Sequence, residues 1–166
     1  MCTVNRSVKS SLVVVPQKMA EYPIVVDPGS WSTKMGFGGD DAPLVEFPSV
    51  VGRRRMNTPI PSPMHSYFVG DDATIRRGIL GLNHPIENGL INNWNDLEDM
   101  WCFGFNRLLQ GKDLSDRNVL VMDSVSLSSR SQRTRFIHTL FETFSVSGMR
   151  LEPSATMALY GNGKLW

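Results

Sequence analysis

Apolar residues along the chain fall into short runs whose spacing changes from strand-like to helical and back. Ile24 to Asp27 is continuous apolar chain closed by an acid, the pattern of a central strand covered on both faces. From Lys34 to Gly38, Met35 and Phe37 alternate with Lys and Gly. The turn Gly39 to Pro43 then reverses the chain into Leu44 to Phe47, which predicts a three-stranded meander. Between Arg55 and Tyr67 the prolines Pro59, Pro61 and Pro63 interrupt any period, so an exposed loop with a mobile tip is expected. The stretch "GDDATIRRG", residues 70 to 78, reads as a short helix with acids at its start, arginines at its end and Gly78 as its left-handed cap.

From Asn95 onward Leu97, Met100, Trp101, Phe105 and Leu108 keep helical spacing, and Asn95 and Glu98 stand at the separation of a capping box. Gly104 inside this helix costs about 1 kcal/mol against Ala. "NVLVMD", residues 118 to 123, is a second buried strand. Between Ser129 and Phe144 the apolar residues Phe136, Ile137, Leu140, Phe141 and Phe144 take one face of an amphipathic helix packed on a sheet, with Arg130, Arg133 and Arg135 in the opening turns. "MRLEP" predicts a short strand, and Ser154 to Tyr160 a helix stopped by Gly161, Asn162 and Gly163. A meander followed by strands alternating with helices is an α/β or α+β arrangement.

Composition narrows the class without choosing a function. At 166 residues and 41% apolar content the chain is long enough for one ordinary domain with a sizeable core. Seventeen basic against sixteen acidic residues leave a formal charge of +1, so no general attraction to nucleic acid or anionic membrane is expected. Cys2 and Cys102 are too few and too far apart for a disulfide framework or a metal knuckle, and a reducing compartment, cytosol or nucleus, is the simpler reading. Leu12 to Val15, ended by Pro16, is too short for a secretory signal, and residues 1–21 read as a flexible tail.

Candidate chemistry gathers in "VVDPGSWSTKMGFGGDDAP", residues 25 to 43. Gly29 allows close backbone approach, Ser30 offers a hydroxyl, Lys34 a cation, and Asp27 a carboxylate able to hold a metal's water shell. Taken alone, strand, turn and strand is more readily a plain hairpin. Arg53, Arg54 and Arg55 could contact phosphate or an acidic partner, although a solvated loop edge is the simpler reading. His65, His84 and His138 stand apart from any catalytic spacing. Trp94, Trp101, Phe103 and Phe105 lie on or beside one helix and read as core in preference to a base-stacking platform.

"GFGGDDAPLVEFPSVVGRRR", "SYFVGDDATIRRGILGLNHPIENGLINNWNDLEDMW", "LFETF" and "MALYGNG" together closely resemble the actin and actin-related protein family, in the family's order over Tyr22 to Gly163. The resemblance implies an actin-like ATPase fold of the ribonuclease H-like type, in which two similar α/β domains close on Mg-ATP between two phosphate-binding hairpins. The chain would supply the first domain only, residues 22–166, with a small inserted subdomain around residues 50–86. By the same resemblance "DPGSWSTK" is the first phosphate hairpin. Asp27 would sit by the magnesium water shell, Gly29, Ser30 and Trp31 would present backbone or hydroxyl donors, and Lys34 would reach the β- and γ-phosphates. Met56 to Ser66 would be the family's mobile loop, and helices 95–109 and 129–144 would belong to the outer domain that meets actin-binding proteins.

Three departures from the family shape the functional expectation. Pro28 removes an N–H from a loop that binds anions through N–H groups, and Trp31 is bulky where the family has a small residue, so weakened nucleotide affinity is expected. Ser154 takes the place of the glutamine that orients the attacking water, which predicts slow or absent hydrolysis. Asn88 replaces a modified histidine, and the three prolines of the mobile loop would stiffen it against filament contacts. The second hairpin and the second domain of the family do not follow Gly163, which predicts exposed apolar surface and an incomplete cleft.

The expected function is therefore that of an actin-related protein with a cytoskeletal or actin-like assembly role, uncertain as an enzyme and more readily none, with no catalytic residue assigned. Its Mg-ATP or ADP binding would be weak or absent. Its partners would be actin or actin-binding proteins, with no nucleic acid and no membrane insertion, and its location cytoplasmic or nuclear. Two rivals stand beside it: a working actin-type ATPase whose missing half is supplied, and a truncated product without an independent role.

Overall fold

The computed structural model describes residues 22–55, 66–123 and 129–163. The expected tail at residues 1–21 lies outside these residues, and so does most of the expected mobile loop. Five strands make the main sheet: β1 (Ile24–Pro28), β2 (Ser32–Phe37), β3 (Val45–Pro48), β9 (Asn118–Asp123) and β10 (Gly148–Pro153). Their spatial order is β10, β9, β1, β2, β3. The first three run parallel, while β2 and β3 are antiparallel additions that form the predicted meander with β1. A mixed α/β sheet with β1 at its centre is thus observed.

Helix α2 (Trp94–Leu109) covers one face of this sheet. Ile24, Val26, Met35, Phe47, Val119 and Val121 point into one cluster with Leu97, Met100, Trp101 and Phe105, all buried. Val25 and Asp27, on the opposite side of β1, are only half-buried, so the expectation of two covered faces is corrected to one. The helix begins two residues earlier than expected. Asn93 is its N-cap, accepting from the Asp96 N–H at 3.1 Å, and the Asn93 amide in turn donates to Asp96 at 2.9 Å. Asn95 and Glu98 therefore do not form the capping box, because the first helical turn already closes on Asn93.

Gly104 has a packing reason. A Cβ built there would lie 2.6 Å from Met35 Sδ and 3.1 Å from the Phe47 ring, so the missing side chain sets how closely α2 approaches β2 and β3. Cys102, two residues before, is disulfide-bonded.

Helix α3 (Arg130–His138) starts at Ser129, whose hydroxyl accepts from the Gln132 N–H at 3.3 Å. It widens over Thr139–Thr143, where the Phe144 N–H reaches back five residues to the Thr139 carbonyl at 3.3 Å. The wider turn rotates the apolar residues relative to an ideal helix. Phe136 and Leu140 are buried and Phe144 half-buried, but Ile137 and Phe141 stand exposed, which corrects the single apolar face expected from spacing. Aromatic edges bind α3 to α2: Trp94 meets Phe136 with centroids 5.3 Å apart, and Phe105 meets Phe144 at 5.2 Å.

Helix α4 (Ser154–Gly161) follows β10 and buries no side chain; Leu159 and Tyr160 remain exposed. A second, three-stranded sheet has β4 (Val51–Arg54) between β5 (Tyr67–Val69) and β6 (Leu80–Asn83), with α1 (Asp71–Ile75) packed against it. Helix α1 is shorter than predicted. Its C-cap is Arg76, which folds back to Asp72 at 2.6 Å, and Gly78 does not take the expected left-handed cap. A two-stranded hairpin, β7 (Ile86–Glu87) and β8 (Leu90–Ile91), turns through Asn88 and Gly89 with φ of 52° and 76°.

Candidate functional site

The parallel strands β1, β9 and β10 all end at one edge of the main sheet, where β1 delivers Asp27 and Pro28, β9 delivers Asp123, and β10 runs through Pro153 into α4. Carboxyl ends of parallel strands are where open α/β sheets hold ligands, since the chain leaves the sheet there in loops free to carry functional groups. The turn after β1, residues 29–31, is such a loop.

Its conformation is braced from below by Ser49, a fully buried residue after β3. The Ser49 N–H donates to the Trp31 carbonyl at 2.8 Å and its hydroxyl to the Gly29 carbonyl at 2.6 Å. The buried Thr33 hydroxyl shares a 2.9 Å bond with that of Ser49. Two carbonyls of the turn are thereby directed inward. Gly29 is required sterically, since a Cβ would lie 2.6 Å from the Ser32 carbonyl oxygen. Its N–H closes on the Asp27 carbonyl at 3.1 Å, whereas the N–H groups of Ser30 and Trp31 take part in none of the turn's backbone hydrogen bonds. Two adjacent amide donors of this kind suit an anion.

Across the strands the charged groups form a row. Asp27 on β1 stands opposite Lys34 on β2, and Lys34 stands opposite Glu46 on β3. Lys34 Nζ lies 3.9 Å from Glu46, whose carboxylate also accepts from the Ser32 hydroxyl at 3.0 Å. Burial pushes the Asp27 carboxyl above its ordinary value, and the neighbouring Lys34 charge opposes that rise without cancelling it. One cation thus serves two acids.

The remaining predicted site residues occupy the tip. The Ser30 hydroxyl accepts from the Gly89 N–H at 3.2 Å, tying the turn to the β7–β8 hairpin. The Trp31 side chain is 86% exposed, so only its backbone belongs to the turn. Asp27, Gly29, Ser30, Trp31 and Lys34 are therefore brought together on one hairpin. For Mg-ATP the donor set fits in kind: a lysine and the Ser30 and Trp31 amides for phosphate oxygens, and a carboxylate for magnesium-bound water. Among the described residues no group of three or more His, Cys, Asp and Glu side chains could hold a metal directly.

Ser154, at the start of α4, is exposed and makes no capping bond. Of the histidines, His84 and His138 are exposed and His65 lies outside the described residues. Arg53 departs from the solvated edge expected for the basic run, because it pairs with Asp96 and Asp99 on α2 at 2.7 and 2.6 Å. Ser49 and Glu46 were not singled out from sequence. Glu46 carried a usable signal, its alternation with Val45 and Phe47 on an outer strand, while nothing local marks Ser49 as a brace. Asn88-Gly89 is a strong two-residue hairpin signal that also went unread. No helix among the described residues is long and apolar enough to cross a membrane. In comparison with known proteins, the family model described as Actin matches residues 19–165.

Proposed function

The chain belongs to the actin family, and from that premise we propose that it is an actin-related protein acting by assembly and binding, at the cytoskeleton in the cytoplasm, with a phosphate hairpin that grips nucleotide weakly and does not turn it over. One observation carries this reading: Lys34, the cation available to phosphate, is flanked across the strands by Asp27 and Glu46. A polyphosphate approaching Lys34 meets two carboxylates for one ammonium, so binding by this hairpin alone is opposed electrostatically. Magnesium, when bound with the nucleotide, would offset phosphate charge and place ordered water by Asp27. Lys34 and the Ser30 and Trp31 amides would hold phosphate oxygens. The Ser30 hydroxyl, already accepting from Gly89, keeps its own proton to donate.

The absence of turnover is supported by Ser154. It occupies the first position of α4 near the carboxyl edge, where its side chain is exposed and too short to take the place of the longer glutamine side chain. The three-stranded sheet of β4 to β6 with α1 is read as the inserted subdomain of the family, and α2 and α3 as the outer surface offered to actin or actin-binding proteins.

The experiment is a titration of the whole chain with a fluorescent ATP analogue in magnesium, with phosphate release followed in parallel. Binding weaker than about 10 µM, corresponding to roughly 7 kcal/mol, lost in Lys34→Ala and without phosphate release, is expected. Submicromolar binding with turnover would make the chain a working ATPase instead.

A further inference from the structure

The face of α3 turned away from the sheet is lined by Arg130, Ser131, Thr134, Arg135 and His138, which border a shallow groove of about 640 Å³. The geometry points to this groove as a docking site for an acidic peptide segment of a partner protein, one that also carries apolar side chains.

Charge is the first argument. From Ser129 to Phe141 the chain has Arg130, Arg133, Arg135 and His138 and no acid. Arg133 is satisfied internally by Asp123 at 2.9 Å, a carboxylate that is itself buried. Arg130, Arg135 and His138 have no ion-pair partner among the described residues, and Arg135 only lies over the Trp94 ring at 4.9 Å. In a chain whose total charge is +1, two uncompensated guanidinium groups on one helical stripe are a local concentration of positive charge. Arg130 stands in the first turn of α3, where the macrodipole disfavours a cation, whereas Arg135 and His138 stand in its last turn. Helix stability therefore gives no reason for the placement of Arg130.

Shape and polarity favour a peptide over other anions. Ser131 and Thr134 stand between the arginines, with the Thr134 hydroxyl donating to the Arg130 carbonyl at 3.1 Å and the Ser131 hydroxyl sharing a 2.7 Å bond with that of Ser129. One turn further, Ile137 and Phe141 are 44% and 40% exposed beside the same stripe. A nucleic-acid backbone would leave those two side chains uncovered, whereas a segment alternating Asp or Glu with Leu would meet both the guanidinium groups and the apolar pair. Planar guanidinium groups suit carboxylates, which they engage through two parallel hydrogen bonds.

The test uses the full chain and a fluorescein-labelled twelve-residue peptide of Glu, Asp and Leu, followed by anisotropy at low and at physiological salt. Saturable binding is expected, weakened about tenfold by Arg130→Glu and several-fold by Phe141→Ser, and weakened again when Leu in the peptide is replaced by Gly. Arg130 is exposed and held by no ion pair among the described residues, so its charge reversal leaves the fold intact, which near-ultraviolet circular dichroism checks; His138→Glu is the second variant. Absence of saturable binding, equal binding by both charge-reversed variants, or tighter binding of a single-stranded oligonucleotide or phosphatidylserine vesicles would overturn the proposal. So would a dimer in sedimentation that Arg130→Glu dissolves, since the occupant would then be a second copy.

Discussion

Arg53 on β4 donates from Nε to the Asp96 carboxylate on α2 at 2.7 Å, and Asp96 is 1% exposed. The same guanidinium reaches Asp99 at 2.6 Å, and the Asn83 and Asn93 amides complete the hydrogen bonding of Asp96. Burial works against the Arg53 charge, but the two carboxylates more than restore it and raise its pKa above the ordinary arginine value. This ion pair fastens the small sheet to the helix that covers the large one.

Arg53→Met should therefore act far beyond a surface change. It leaves a buried carboxylate with amide partners only, and breaking such a pair costs about 3 to 5 kcal/mol when both charges are enclosed. Arg53 is itself 43% exposed, so solvent screening reduces the expected loss to about 2 kcal/mol. Urea unfolding should show that loss, and the double variant Arg53→Met/Asp96→Asn should recover more than half of it.

Asp27 exposes a conflict between stability and ligand binding. Its folded pKa lies above the value of 3.8 that it has unfolded. Between the two values the folded chain binds more protons than the unfolded one, so stability falls as pH rises through that window and the penalty is complete above it. Asp27→Asn should thus raise the melting midpoint at pH 7, by on the order of 1 to 2 °C, with the gain vanishing below pH 3.8. The same variant should weaken the binding of the magnesium nucleotide. A midpoint that falls at pH 7 would show that Asp27 has a stabilising partner.

Glu46 should be a negative determinant of nucleotide affinity. Its pair with Lys34 joins two half-exposed side chains at 3.9 Å, an arrangement worth at most about 1 kcal/mol. Glu46→Gln should leave the unfolding midpoint nearly unchanged. It should tighten binding of the fluorescent ATP analogue by about threefold at low salt, with the difference shrinking as salt screens it.

Gly104→Val should destabilise by about 2 to 3 kcal/mol, because extra atoms in a packed interior cost about 1 to 3 kcal/mol and a branched residue regains only part of the helix propensity lost at glycine. The added carbons fall on Met35 and Phe47, both fully buried. Thermal unfolding measures the loss, and the companion variant Met35→Ala should relieve part of it by opening the space that valine needs.

Strands and helices carried by strong local patterns were legible before any coordinates. β9 spans residues 118 to 123 as read from "NVLVMD", and the meander follows from the alternation of Met35 and Phe37 and the glycine-acid turn. Errors cluster where long-range contacts overrule local signals. Asn93, not Asn95, caps α2 because Asp96 is drawn into the network around Arg53. Phe141 leaves the apolar face where the helix widens after His138, a change no residue in the run announces, while Ile137 is already exposed in the regular turn before it. The hairpin that carries the candidate site was legible in the sequence, through the turn at Gly29 and the strand of Lys34. Its electrostatic balance was not, since it depends on the register that sets Glu46 opposite Lys34.

The central position of β1 also has a consequence during synthesis. Its antiparallel partner β2 leaves the ribosome directly after it, whereas its parallel partner β9 is made only after the whole small sheet and α2. Throughout that interval the open edge of β1, with the apolar Ile24 and Val26, can pair with strands of other nascent chains. The birth of this molecule is thus a period of exposure to coaggregation, and slow translation of the region between residues 50 and 117 would lengthen it.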